Sequence, residues 1–206
     1  MDIITRITRQ RGKMQIVISE QKTIVVPLSL FRERPLTEGQ PINLEEYDNW
    51  LMVRQYRHAL DRAVSCLAAR AHSKHEIEQK LLRVGYRPCT VEMVLYKLER
   101  EHLLDDADFA RQWVEARSGR KLGRSRIAQE LRRKGIDADE AEEALSAIGE
   151  DAQLADAITL AEKAAARAKS DEDPRKTYQR IAAMLARRGF RWDITKEALA
   201  QVLQAD

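Results

Sequence analysis

Apolar residues run through this chain in two rhythms. Over the first 46 residues they fall in short β-branched runs with partial alternation: Ile3-Ile4-Thr5-Arg6-Ile7-Thr8, Met14-Gln15-Ile16-Val17-Ile18 and Thr23-Ile24-Val25-Val26. Successive side chains of a strand point to opposite faces, so these runs predict three strands of a small antiparallel sheet. Arg11-Gly12-Lys13 supplies a turn between the first two, Pro27 ends the third, and Thr37-Glu38-Gly39-Gln40-Pro41 punctuates a loop. So short a segment encloses only a thin core, and the sheet must lean on the rest of the molecule.

From about residue 45 the apolar spacing becomes i, i+3, i+4, i+7, the period of a helix buried on one side. A connecting helix is predicted through Asp48-Asn49-Trp50-Leu51-Met52, followed by a helix over residues 59–70. Ser73 with Glu76 forms a capping box that would satisfy the free amides opening the next helix. Beyond it, residues 76–98, 126–148 and 180–202 superpose without gaps. Gly85, Gly135 and Gly189 coincide, with Leu81, Leu131 and Leu185 four positions before them and Ile77, Ile127 and Ile181 eight before. Tyr86, Ile136 and Phe190 stand one position after the glycine; Leu95, Leu145 and Leu199 stand ten after. The glycine is the expected C-terminal stop of a helix, where positive φ is needed. The helix after it carries an apolar stripe: Val91, Val94, Leu95, Leu98, then Ala141, Ala144, Leu145, Ile148, then Thr195, Ala198, Leu199, Val202.

The repeat recurs after 50 and then 54 residues. Each copy holds three helices, and stacked copies bury a shared core and expose a long surface. The expected divisions are a β segment over 1–46, a connecting helix with repeat 1 over 47–105, repeat 2 over 106–150 and repeat 3 over 151–206. The first helices match least. Repeat 2 opens on an aromatic face, Phe109, Trp113 and Val114; repeat 3 opens on an alanine-rich stretch over 154–169. Ser170-Asp171-Glu172-Asp173-Pro174 breaks that stretch, with Asp173 and Pro174 as N-cap and first residue of the next helix.

Composition narrows this picture rather than changing it. Charged residues make up 33% of the chain, above the usual ~25%, as suits helices with ion-paired outer faces. Cys66 and Cys89 form no CxxC pair and read as free thiols in a reducing cytosol. The N-terminus lacks a signal-peptide pattern and no apolar run is long enough to span a bilayer, so the expected location is cytoplasmic, without membrane contact. The absence of heptads makes a monomer the default.

Net charge is only +3, but it is unevenly placed. Residues 111–134 hold nine Lys or Arg against Glu115 and Glu130. Arg117, Arg120, Lys121, Arg124 and Arg126 cluster between two helices, and Arg132, Arg133 and Lys134 follow at a helix end; Arg187, Arg188 and Arg191 form a second group. Arg83, Arg133 and Arg187 each stand two residues before the repeat glycine. Cations there favour the helix macrodipole, typically by ~0.3–1 kcal/mol. They would equally form a basic stripe, one arginine per repeat, for an extended anionic partner such as nucleic acid or the acidic face of a protein filament.

No catalytic constellation is written in the chain: it has no GxxxxGK[ST], GxGxxG, HExxH or GxSxG motif. His72 and His75 lack a second cluster to complete a metal site. Asp105-Asp106-Ala107-Asp108 precedes a helix, where acids cap. Trp113 and Phe109 could stack on bases but at helical spacing read as core. Neither an enzyme nor a cofactor is expected.

Specific stretches resemble the RecX regulatory proteins. Ala59-Leu60, Arg70 to Ser73, Glu76, Lys80-Leu81, Gly85-Tyr86 and the VLYKL run resemble that family's first repeat. The order Leu104, Asp105-Asp106, Phe109-Ala110, Val114, Arg117, Gly123, Ile127, Glu130-Leu131, Lys134-Gly135-Ile136 resembles its most distinctive segment. The match is good over about 57–150 and adequate in repeat 3, and the N-terminal strands resemble a segment found in some members only. The resemblance implies a mainly α, elongated and curved tandem array of three three-helix repeats behind the small β segment. It implies a protein that binds RecA in the groove of the RecA–single-stranded-DNA filament and suppresses ATP turnover, strand exchange and SOS co-protease activity. Contact candidates, chosen by charge, are Arg83, Arg117, Arg120, Lys121, Arg124, Arg126, Arg132, Arg133, Lys134, Arg187, Arg188 and Arg191. The alternative is a helical nucleic-acid-binding protein acting without RecA; weak direct DNA contact is compatible with either.

Overall fold

A computed structural model describes residues 2–19, 22–168 and 173–203. The alternating N-terminal runs form strands β1 (Asp2–Gln10), β2 (Lys13–Ile18) and β3 (Thr23–Pro27). A two-residue strand, β4 (Pro41–Ile42), completes an antiparallel sheet of order β3-β2-β1-β4. The register places Ile4, Ile7, Ile16 and Ile18 on one face, with Ile4 opposite Ile18 and Ile7 opposite Ile16. Ile4 and Ile7 are three apart, and a bulge between Ile4 and Arg6 is what lets both face the core.

Helix α1 (Leu28–Glu33) follows β3 directly and was not foreseen from the sequence. Nor was the length of α2 (Leu44–Ala69), which fuses the connecting helix and the first helix of repeat 1 into one element of 26 residues. The reason is local. No glycine or proline interrupts residues 44–69, and the Asn43 side chain accepts from the Glu46 amide to cap the start. The division drawn between residues 46 and 47 therefore falls inside the first turn of α2.

Eight further helices follow: α3 (Lys74–Val84), α4 (Pro88–Arg100), α5 (Asp106–Ser118), α6 (Arg124–Arg133), α7 (Ala138–Ser146), α8 (Glu150–Ala165), α9 (Pro174–Arg188) and α10 (Trp192–Leu203). The chain is mainly helical with a small N-terminal sheet. Their ends obey the punctuation. Ser73 Oγ accepts from the Glu76 amide, and the Asp173 carboxylate accepts from the Arg175 amide ahead of Pro174. The break foreseen before α9 falls partly on residues 169–172, outside the described residues. Gly85, Gly135 and Gly189 all have positive φ, and the amide after each returns to the carbonyl five residues back.

The chain divides into two units, residues 1–105 and 106–206. In the first, the sheet does lean on the helices: Ile4, Ile16, Ile18 and Val26 share one apolar cluster with Leu51, Ile77, Leu81, Val94 and Leu98. Arg87 in front of α4 clasps the Asp48 carboxylate of α2 with both guanidinium nitrogens, which holds that carboxyl below its ordinary range. The second unit has two apolar clusters, one in α5–α7 around Phe109, Ile127 and Leu145, one in α8–α10 around Ile181, Leu185 and Leu199. Among the described residues no helix is long and apolar enough to cross a membrane.

Candidate partner-binding surface

The twelve basic candidates divide by what their own chain does with them. Burial of Ile127 and Leu131 on α6 turns one side of that helix inward. Glu130, beside that inward side and only 17% exposed, becomes a collecting point for cations. Arg117 Nε stands 2.7 Å from its Oε2, within ion-pair range although out of line for a hydrogen bond. Arg126 Nε reaches Oε1 at 3.4 Å, and Trp113 Nε1 donates to Oε2 at 3.1 Å. The same tryptophan lies under the Arg117 guanidinium, 4.1 Å from the ring centroid, and under Lys134 Nζ at 4.0 Å. Phe109 stacks on it at 5.8 Å. Trp113 is thus a half-buried packing residue, and a nucleic-acid base would have to displace a cation to stack on it.

Of the other candidates, Lys121 and Arg188 fasten repeat 2 to repeat 3, while Arg124 is held within repeat 2. Lys121 pairs with Asp156 of α8 at 2.8 Å, and Arg124 pairs with Glu142 of α7. Arg188 donates to the carbonyls of Arg120 and Lys121 at 3.3 and 3.4 Å. Arg191 pairs with its near neighbour Asp193 at 2.7 Å. Beneath these contacts the C-terminus of α9 docks on the N-terminus of α6. The Gly123 amide donates to Arg188 O, the Ser125 amide to Gly189 O, and the Arg124 amide to Gln153 Oε1. Free amides of one helix are therefore met by free carbonyls of another, with favourable dipole alignment. A Cβ on Gly189 would overlap the Arg126 backbone, and one on Gly123 would overlap that of Gly189.

Five candidates remain. Arg83, Arg120, Arg132, Arg133 and Arg187 are exposed and take part in no ion pair among the described residues. Arg83, Arg133 and Arg187 each occupy the last turn of their helix, α3, α6 and α9. Arg132 and Arg133 end α6 and Arg187 lies by its beginning, so about 15 Å of helix separates these charges. A rigid helix thus sets a fixed spacing of unpaired cations within the second unit.

The sequence reading missed the shielded acceptors: Glu130 and Asp156, 17% and 25% exposed, look in the sequence like ordinary solvent-facing acids, as Glu142 in fact is. The one available signal was that Glu130 stands almost alone among nine cations. His72 and His75 do not converge. His72 is buried between the Arg70 carbonyl and Lys80 Nζ, while His75 faces Glu78 at 3.5 Å.

The RecX first, second and third three-helix domains match residues 59–98, 105–145 and 151–199. A regulatory protein RecX of Clostridioides difficile is 30% identical over 100% of this chain and 98% of its own. The chain belongs to the RecX family. A second regulatory protein RecX, of Prosthecochloris aestuarii, is 37% identical over 71% of this chain and 95% of its own. A crystal structure of regulatory protein RecX shares the fold, with TM-score 0.67 and 22% identity over 100% of both chains. The RecX relatives are named as regulatory proteins.

Proposed function

We propose that this protein binds RecA and the RecA–single-stranded-DNA filament and restrains it, lowering ATP turnover, strand exchange and SOS co-protease activity and so regulating DNA repair and recombination. It acts in the cytoplasm as a monomer, by binding and without a cofactor. The observation that carries the reading is the unbroken series of three RecX domains over residues 59–199. The five exposed arginines without ion pairs add a charge pattern suited to an acidic filament surface. Arg117, Arg126 and Lys134, among the contact candidates by charge, are proposed instead to hold the repeat in shape.

The test is RecA ATPase activity on single-stranded DNA with the protein titrated in. Inhibition well below one molecule per RecA is expected from the wild type. The R132E/R133E variant should need about tenfold more protein for half-inhibition, equivalent to ~1.4 kcal/mol of binding. Both side chains are exposed and unpaired, so its melting temperature should move little. Full inhibition by R132E/R133E would remove this patch from the contact surface; no inhibition by the wild type would remove the reading itself.

A further inference from the structure

The N-terminal hairpin carries a second basic surface that none of the repeats accounts for. Between Asp2 and Glu20 the chain holds Arg6, Arg9, Arg11 and Lys13 and no acid. Arg6, Arg9 and Arg11 are exposed and Lys13 is half-buried; none of the four forms an ion pair among the described residues. Register sorts them. Ile4, Ile7, Met14, Ile16 and Ile18 face the core, so Arg6, Thr8, Gln10, Lys13 and Gln15 share the opposite face. Arg9, opposite Met14, lies on the other face at the exposed end of the strand, and Arg11 carries the charge round the tip, where Gly12 turns the chain.

The first repeat adds to this face. A Cβ at Gly85 would come within 3.1 Å of Lys13 Cβ, so the end of α3 rests against the hairpin. Arg83, exposed, stands two residues before that contact in the last turn of α3. Glu38 borders the strand, and its carboxylate is engaged by the Ile7 amide at 2.7 Å.

We infer that the outer face and tip of the β1–β2 hairpin, flanked by Arg83, bind the phosphate backbone of nucleic acid. Arginine and lysine beside threonine and glutamine are the side chains that contact phosphate oxygens. A protein partner would call for aromatic or apolar anchors at the centre of the face. Here the apolar positions are Val17, Val25 at 37% exposed and Ile3 at 49%, and Ile3 lies at the end of β1 far from the charged tip. The inference stands apart from the RecA reading, because it needs no RecA and uses residues outside the second unit.

The experiment is fluorescence anisotropy of a fluorescein-labelled oligothymidylate with the full chain, without RecA, across a salt series. The wild type should bind with an affinity that falls steeply with salt. R9Q/R11Q should weaken binding about tenfold at low salt and flatten the log–log slope by roughly 0.7 per lost contact. R132E/R133E, tested alongside, should keep the larger part of the affinity whatever it does to RecA inhibition. Unchanged affinity and slope in R9Q/R11Q would overturn the inference, as would a wild type that does not bind. Loss of RecA inhibition by R9Q/R11Q without any DNA binding would overturn it in favour of a protein contact. Thermal melting of R9Q/R11Q, with both sites at an exposed tip, separates lost binding from lost folding, and the single R6Q on the outer face gives an independent second reading.

Discussion

The two units solve one problem with different chemistry. In each, a repeat glycine with positive φ brings a helix end close to a neighbouring element. At Gly85 the neighbour is a sheet, and the contact is with side chains, Val25 and Lys13, above a continuous apolar core. At Gly189 the neighbour is the backbone of α6, and the contact is hydrogen-bonded main chain flanked by ion pairs, between two smaller clusters. The first junction resembles domain packing and tolerates adjustment. The second is set by backbone geometry, and an added atom there has nowhere to go.

The glycines give the largest expected contrast. Gly189→Ala combines left-handed strain, roughly 1–2 kcal/mol, with overlap against backbone that cannot yield, another ~1–3 kcal/mol. Gly85→Ala carries the same strain but meets Val25 Cγ1 and Lys13 Cδ, which can rotate away, and one fixed atom, Lys13 Cβ, at 3.1 Å. Urea unfolding should therefore show a loss of ~3 kcal/mol or more for Gly189→Ala and about half that for Gly85→Ala. Equal losses would mean that the two junctions are not different in kind.

A smaller contrast lies in the charges. Glu130→Ala leaves Arg117, Arg126 and the Trp113 indole without their shared acceptor, and Arg117 is mostly shielded from water. A loss of roughly 2–3 kcal/mol is expected, the cost of stranding partly buried donors. Asp48→Ala removes the partner of one arginine rather than of three donors, and Asp48 is itself 43% exposed against 17% for Glu130. That change should cost nearer ~1 kcal/mol. If Asp48→Ala proves the more damaging in the same unfolding experiment, ion pairing is not what distinguishes the second unit.

This contrast explains what could be read in advance. The three glycines, the leucines four before them and the stripes after them act through local periodicity, and so the helices of each repeat were legible. The fused α2 was missed because its buried stripe, Tyr47, Leu51, Gln55, Ala59 and Ala63, passes through a polar Gln55 with no punctuation to mark either a break or a continuation. The surface was legible only as composition. Nothing in the spacing says that Arg117 folds over Trp113 while Arg132 points to water, since that depends on where α5 and α6 cross. Pairings such as Lys121 with Asp156 join residues 35 apart and exist only after two repeats dock.

The smallest expected effect is a pH dependence confined to one unit. All four histidines, His58, His72, His75 and His102, lie in residues 1–105. His72 matters most, at 4% exposed. Its Nδ1 lies 2.9 Å from the Arg70 carbonyl, which can only accept, so Nδ1 carries the proton and Nε2 accepts from Lys80 Nζ at 2.7 Å. A second proton would bury a charge against that ammonium, and burial lowers the His72 pKa below its ordinary value, with the hydrogen bond to the Arg70 carbonyl and, more weakly, Glu76 opposing. The unfolded chain then takes up the proton first as pH falls. Stability from this site is complete above about 6.5, the unperturbed value, and is lost progressively below it until the folded pKa is reached. Amide exchange between pH 7.5 and 5 should show α2, α3 and α4 losing protection on acidification, with α6 and α9 changing less. His72→Gln should flatten the response of the first unit. A response that persists in His72→Gln, or that appears equally in α6 and α9, would place the titrating group elsewhere, among carboxylates that both units share.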